Sequence, residues 1–438
     1  MLFRSLGRPT SQSVTASILL DKNCEGYLEY GTKSGGYGSK TDIVKFHAGQ
    51  NVELVLSKLN PATKYFYRMR YREPETNDFH KGNEYTFQTQ RKPADTFTFV
   101  VQADPHGRDA NVNFELYERT LQNELADKPD FLIDLGDTFM NDKFASDYDT
   151  VVKLHSEQRP YFGLVGHSVP LYLVLGNHEG ESGWLLDGTA DNLAIWASKA
   201  RKMYYPNPVP DDFYTGDETS VNFVGLRGSY YAWTWGNALF VVLDPYWYTK
   251  KKPKRIDGDN WQWTLGKTQY QWFKNVLQTS NSKFKFLFAH QLVGGIDSSG
   301  RGGIECAGYY EWGGKNKDGS WGFDEKRPGW RKPIHQIMVE NKVTIFFHGH
   351  DHLFARQDMD GVVYQEVPQP NGREKKNAGT EYGYVNGDIL SSPGHLRVTI
   401  SGNDATVVYI KSALVKEEKG RSSNGKIAHS YTITAQTK

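Results

Sequence analysis

Five short apolar runs in this chain each end in residue types that bind metals. Residues 97–103 lead into Asp104-Pro-His106, and residues 131–136 lead into Asp137. Residues 171–176 lead into Asn177-His178-Glu179, residues 284–289 into His290, and residues 343–349 into His350-Asp-His352. Carboxylate, amide and imidazole groups are oxygen and nitrogen donors. With no thiolate among them, such a set suits Zn, Mn, Fe or Co rather than Ca. One histidine after a strand is ordinarily a satisfied structural residue. Five such endings mean more, because open α/β sheets bind ligands beyond the carboxyl ends of their strands.

The elements that must position these residues follow from the pattern around them. From Thr96 onward apolar strands alternate with longer helical patterns, at 112–126 and 145–166 among others, which implies a mainly βαβ-built sheet. The tail differs, and its runs 395–400 and 405–410 read as antiparallel strands. The first ninety residues form a separate unit. Runs at 13–20, 26–30 and 51–56 carry β-branched and aromatic residues, and Gly35-Gly36, Gly38 and Asn60-Pro61 supply turns between them. Several short strands in so few residues imply a small β-sandwich over 9–90, with a linker at 91–95. Residues 291–333 are rich in Gly, Trp and charge without clear periodicity, as functional loops often are.

Together the strand endings resemble the signatures of the calcineurin-like metallophosphoesterases. In that family's order, the chain carries Asp104-x-His106, Gly136-Asp137, Gly176-Asn177-His178-Glu179, His290 and Gly349-His350-x-His352. The resemblance spans roughly 96–412. The stretch Leu59-x-Pro61-x-Thr63-x-Tyr65-x-Tyr67 further resembles the fibronectin-III-like domain that precedes the catalytic domain of purple acid phosphatases. The fold this implies is α/β, a four-layer α/β/β/α sandwich at 96–412 with a β tail to 438, preceded by the small all-β sandwich.

The resemblance also implies a division of labour. One transition metal would take Asp104, His106, Asp137 and His352, and a second would take Asp137, Asn177, His290 and His350. Asp137 would bridge them. Such a pair binds a phosphoryl oxygen and lowers the pKa of a bridging water, whose hydroxide attacks phosphorus in line with the leaving alkoxide. His178 corresponds to the family's histidine that stabilises the transition state or protonates the leaving oxygen. Glu179 either orients His178 or is a surface carboxylate. The purple enzymes carry a metal-binding tyrosine three residues after the bridging aspartate. Here that position is Met140, so a colourless protein is expected, with His106 as the replacement ligand.

Beyond this set, Arg301 has the planar fork that suits a non-reacting phosphate oxygen. Tyr309, Tyr310 and Trp312 are expected either to line an apolar leaving-group pocket or to pack at a domain interface. Tyr204 and Tyr205, in the loop-like segment 187–214, are a candidate second wall. Arg108 is a candidate for charge stabilisation. Asp134 and Asp244 read as structural, and His348 reads either as a partner to a ligand or as an unrelated strand-end residue. Cys24 and Cys306 fall in different units, which makes a disulfide between them improbable.

Composition excludes several alternatives. Lys and Arg number 52 against 51 Asp and Glu, so no bulk field favours nucleic acid or an anionic membrane. No apolar run approaches the ~20 residues of a membrane span. The first ten residues lack the apolar stretch of a signal peptide. The combined architecture nevertheless implies an extracytoplasmic location, periplasmic or secreted. The expected function is hydrolysis of a small phosphoester, a monoester ahead of a diester or triester. A binding module with a vestigial metal site is the contrasting reading. An aromatic content of 14% stands out, and its concentration in the β-unit and after His290 points toward the substrate.

Overall fold

The computed structural model describes residues 2–254, 258–375, 378–418 and 423–435. Two large sheets face each other in the unit that begins at Phe97. In the first, strands Phe97–Gln102, Phe131–Asp134 and Leu171–Leu173 are parallel neighbours, with Val101 beside Ile133 and Ile133 beside Tyr172. In the second, Ala238–Val242, Phe284–Phe288, Ile345–His348 and Val362–Glu366 run parallel in that order. These strands read as unbroken apolar runs because both of their faces are covered. The tail strands Gly394–Ser401 and Asp404–Lys411 are antiparallel, and Ile427–Thr434 adds a further edge strand.

The inner faces meet in an aromatic core. Phe99 packs edge-on against Phe240 at 5.2 Å, and Trp233 stacks on Phe240 at 4.9 Å. Fifteen aromatic residues are buried in this one cluster, so much of the aromatic excess fills the gap between the sheets rather than marking a substrate. Helices Phe114–Ala126 and Tyr148–Gly166 cover the outer face of the first sheet. Asn113 and Asp147 cap them by accepting from the backbone N–H three residues on. Helices Gly266–Thr279 and Ile334–Glu340 cover the second sheet, completing the α/β/β/α order.

The N-terminal unit is a sandwich built around Ala16, Leu28, Leu56, Tyr67 and Phe87. One of its sheets contains Cys24–Gly31 and Lys64–Arg72. The other is continuous with the first of the two large sheets. Strand Leu2–Gly7, which lies before the 9–90 range, pairs antiparallel with Val14–Leu20 and meets Leu171 through Gly7 in parallel. A Cβ on Gly7 would sit 2.6 Å from the Pro206 carbonyl, so only glycine passes this junction.

Segment 187–214 is not a plain loop. It contains helix Leu193–Tyr204, capped by Asn192, whose inward face is Ala194, Ile195, Ala197 and Ala200.

Candidate metal centre

Six residues from four strand ends gather between the two sheets, and Asn177, from a fifth, precedes His178, whose N–H donates to Asp137 Oδ1 at 2.8 Å. Asp104, His106 and His352 present ligand atoms within 4.8 Å of one another, and Asp137, His290 and His350 do the same. The Asp137 Oδ2 lies between the groups, 3.8 Å from His106 Nε2 and 3.2 Å from His290 Nε2. Asp104 Oδ1 faces His352 Nε2 at 3.5 Å and His106 Nε2 at 3.7 Å.

Several atoms in this cluster are buried without a hydrogen-bond partner: Asp104 Oδ1, His106 Nε2 and Asn177 Oδ1. An unpaired buried acceptor ordinarily costs ~1–3 kcal/mol. These orphans are donor atoms of the kind a transition metal takes, so the residues fit metal binding. The opposite edges of the imidazoles are already engaged. His290 Nδ1 lies 2.9 Å from the Leu135 carbonyl, and His350 Nε2 lies 2.9 Å from that of Ser299. Such bonds fix the tautomer and aim the other nitrogen at a metal.

The backbone is strained where the candidate ligands sit. Asp104, His106, Asp137, His350 and His352 all have positive φ, between 51° and 81°. Each such residue costs about 1–3 kcal/mol and persists only where its surroundings enforce it. The motif glycines are part of that enforcement. A Cβ on Gly176 would fall 2.3 Å from Asp137 Oδ1, and one on Gly349 would fall 2.7 Å from the Ala103 Cβ.

Electrostatics point the same way. Burial opposes charge throughout, yet the two carboxylates raise His106 to about 9 and His290 to about 10. Despite burial, the facing imidazoles hold Asp104 and Asp137 well below the usual carboxylate range. Burial and the His290 charge keep His350 low, and burial keeps His352 low. The cluster therefore holds positive charge between its carboxylates, and metal binding would exchange protons for cations.

Glu179 is neither a surface carboxylate nor a partner of the His178 ring. It is buried and accepts backbone N–H bonds from Gly176 at 2.5 Å, Thr138 at 2.6 Å, Asp137 at 2.9 Å and Phe139 at 3.3 Å. Burial and the Asp137 charge push its carboxyl up to about 7. Asp142, unmarked in the sequence reading, meets His178 Nδ1 at 2.7 Å. It lies in the single turn Asn141–Phe144, five residues past Asp137, and no motif spacing flagged it. His178 Nε2 lies 3.8 Å from Asp137 Oδ2.

Arg301 lies at the rim, 4.0 Å from Asp351 and 3.9 Å from Asp297, over the Tyr382 ring. Arg108 instead pairs with Glu157 through two nitrogens. Of the aromatic wall candidates, Tyr204, Tyr205, Tyr310 and Trp312 are buried, and Tyr309 is half-buried beside Tyr310. Trp312 is fully buried against Phe346 and bonded to the Tyr364 hydroxyl on the outer face of the second sheet. Tyr204 and Tyr205 are buried in the core, where Tyr205 packs on Phe139 and Phe162. Asp134 is a buried carboxyl bonded by Thr138 and Gln102, and burial raises it to about 6. Asp244 receives Arg227 and the Tyr246 N–H. His348 pairs with Glu366, which accepts from the Asp351 N–H beside two ligands. Cys24 and Cys306 are both free and buried.

The model of the calcineurin-like phosphoesterase family matches residues 97–354, more than half of the chain. The chain belongs to this family. As a calcineurin-like phosphoesterase, it is a metal-dependent enzyme of phosphoester chemistry. Among solved structures, PhoD superposes with a TM-score of 0.68 at 14% identity, over 99% of this chain and 90% of PhoD. The purple acid phosphatase PPD1 from yellow lupin (Lupinus luteus) seeds gives 0.64 at 15% identity, over 98% of this chain and 74% of that one. At such identities the likeness is one of fold, and it includes the N-terminal β unit. No curated protein sequence matches the chain. Among the described residues, no helix is long and apolar enough to cross a membrane.

Proposed function

We propose that this phosphoesterase hydrolyses small phosphomonoesters at a centre of two transition-metal ions. The observation that carries this reading is the set of orphaned donor atoms on Asp104, His106 and Asn177, converging with Asp137, His290, His350 and His352. Asp104, His106, Asp137 and His352 would hold one ion. Asp137, Asn177, His290 and His350 would hold the other. Bound cations of this kind supply Lewis acidity toward phosphoryl oxygens and a water of lowered pKa.

The chain's own residues do the rest. Asp142 holds the His178 ring by Nδ1, which leaves Nε2 to carry a proton to the departing alkoxide oxygen. Glu179 fixes the backbone turns under Asp137 and thereby the spacing of the two ligand groups. Arg301 binds a non-reacting oxygen of a dianionic phosphoryl group.

A diester with an apolar alcohol would favour aromatic walls. The burial of Trp312, Tyr310, Tyr204 and Tyr205 weakens that support, and Arg301 is the cationic feature at the rim. A module with a vestigial site would be expected to have lost ligands, yet all seven are present. The sandwich-plus-phosphoesterase architecture supports an extracytoplasmic location. The test is a rate panel on metal-loaded protein with nitrophenyl monoesters, diesters and triesters. Fastest turnover on the monoester is expected, and a diester preference overturns the assignment.

A further inference from the structure

Asp351 stands between the candidate ligands His350 and His352, yet its own carboxylate is spent on the rim segment. It is buried, and its Oδ2 accepts from the Gly302 N–H at 2.8 Å and from the Tyr384 hydroxyl at 2.9 Å. The Asp351 N–H donates to Glu366 at 3.1 Å, so backbone and side chain are both anchored. The Tyr384 hydroxyl also lies 3.4 Å from Glu366 Oε2.

The rim segment is thereby fastened to the ligand strand end at two points. The Ser299 carbonyl meets His350 Nε2 at 2.9 Å, and the Gly302 N–H meets Asp351. Arg301 lies between the two anchors. Its neighbours Gly300 and Gly302 have φ of 85° and 107°, which glycine adopts without strain. The Arg301 carbonyl accepts from the Ile296 N–H at 2.6 Å and closes the turn. Its guanidinium packs over the Tyr382 ring, 4.9 Å from the centroid. Arg301 Nε and Asp351 Oδ1 are buried, have no hydrogen-bond partner and face each other at 4.0 Å. At that distance the two attract by charge without a hydrogen bond. Asp297, 3.9 Å from Nη1, is exposed and correspondingly screened.

We infer that Asp351, held in turn by Tyr384, is a positioning residue that sets Arg301 for a phosphoryl oxygen at the ligand cluster. This rests on the phosphate role of Arg301 in the proposed function.

The test is a double-mutant cycle on the full, metal-loaded chain. It is read as calorimetric affinity for inorganic phosphate, with metal content measured alongside. Arg301→Ala and Asp351→Asn should each weaken phosphate binding about ten-fold, at wild-type metal content. In the Arg301→Ala background, Asp351→Asn should weaken it no further, because residues that act through one another are not additive. For nitrophenyl phosphate, Asp351→Asn should raise KM by a larger factor than it lowers kcat, as loss of uniform binding requires. If Asp351→Asn does not fold, Tyr384→Phe takes its place in the cycle, with an expected loss of about two- to ten-fold. A second ten-fold loss in the double variant overturns the proposal. So does unchanged phosphate affinity in either single variant, loss of metal in Asp351→Asn, or a fall confined to kcat. Phosphate binding with this coupling but without monoester hydrolysis counts against the monoesterase reading and supports the positioning role.

Discussion

Replacing Glu179 with Gln should destabilise the loop under the metal centre rather than simply slow a chemical step. The carboxylate accepts four backbone N–H bonds, two on each oxygen, from Gly176, Asp137, Thr138 and Phe139. A glutamine offers one carbonyl oxygen, and its NH₂ would face the other two donors. Two buried N–H groups are then left unpaired at ~1–3 kcal/mol each, so the expected loss is about 2–6 kcal/mol. Asp137 is held at positive φ within that loop and is the first residue the relaxation would move. The assay is thermal unfolding of the metal-loaded protein together with metal content by elemental analysis. Glu179→Gln should lower Tm by at least about 2 °C, taking the small end of that loss against the unfolding entropy of a chain of this length, and should reduce bound metal. Wild-type Tm and wild-type metal content, with only kcat altered, would refute the positioning role.

Further outcomes follow from the same geometry. Gly176→Ala puts a Cβ 2.3 Å from Asp137 Oδ1 and should abolish metal binding, whereas Gly163→Ala, in an open helical position, should leave metal content unchanged. Stability should fall steeply in acid because of buried Glu181. Burial raises its pKa, but the guanidinium of Arg201, then Arg227, outweigh this and hold it at about 2. Against an unfolded value of ~4.3, its contribution is complete above that pH and lost as pH falls toward 2, a change of about 3 kcal/mol. Acid titration of Tm should therefore be shallower in Glu181→Gln, and an unchanged slope contradicts the assignment. With Met140 in place of a tyrosine, the metal-loaded protein should be colourless, and an intense visible charge-transfer band would contradict this.

The clustering of the candidate ligands was legible in the sequence because the local geometry leaves few substitutes. Gly136, Gly176 and Gly349 stand where a Cβ would collide, and the ligands follow them in fixed order. The buried strands were legible because both faces are covered, which makes each an uninterrupted apolar run. What escaped depends on distant packing. The meeting of Gly7 with Leu171 joins residues far apart in sequence, and no local signal marks it. Helix Leu193–Tyr204 is interrupted by Lys199, Arg201 and Lys202, and Arg201 is buried only because Glu181 awaits it. Trp312 and Tyr205 look like exposed loop aromatics in sequence, yet each fills a gap between layers. Asp142 and Glu179 are ordinary acidic residues until the fold brings one to His178 and the other beneath Asp137.

The most direct test of the account is the metal content and phosphomonoesterase activity of the wild-type chain beside Asp137→Asn. The account predicts about two transition-metal ions per chain in the wild type, with both the metals and the hydrolysis lost in the variant. A wild type that binds no metal, or an Asp137→Asn protein with full activity, would contradict it.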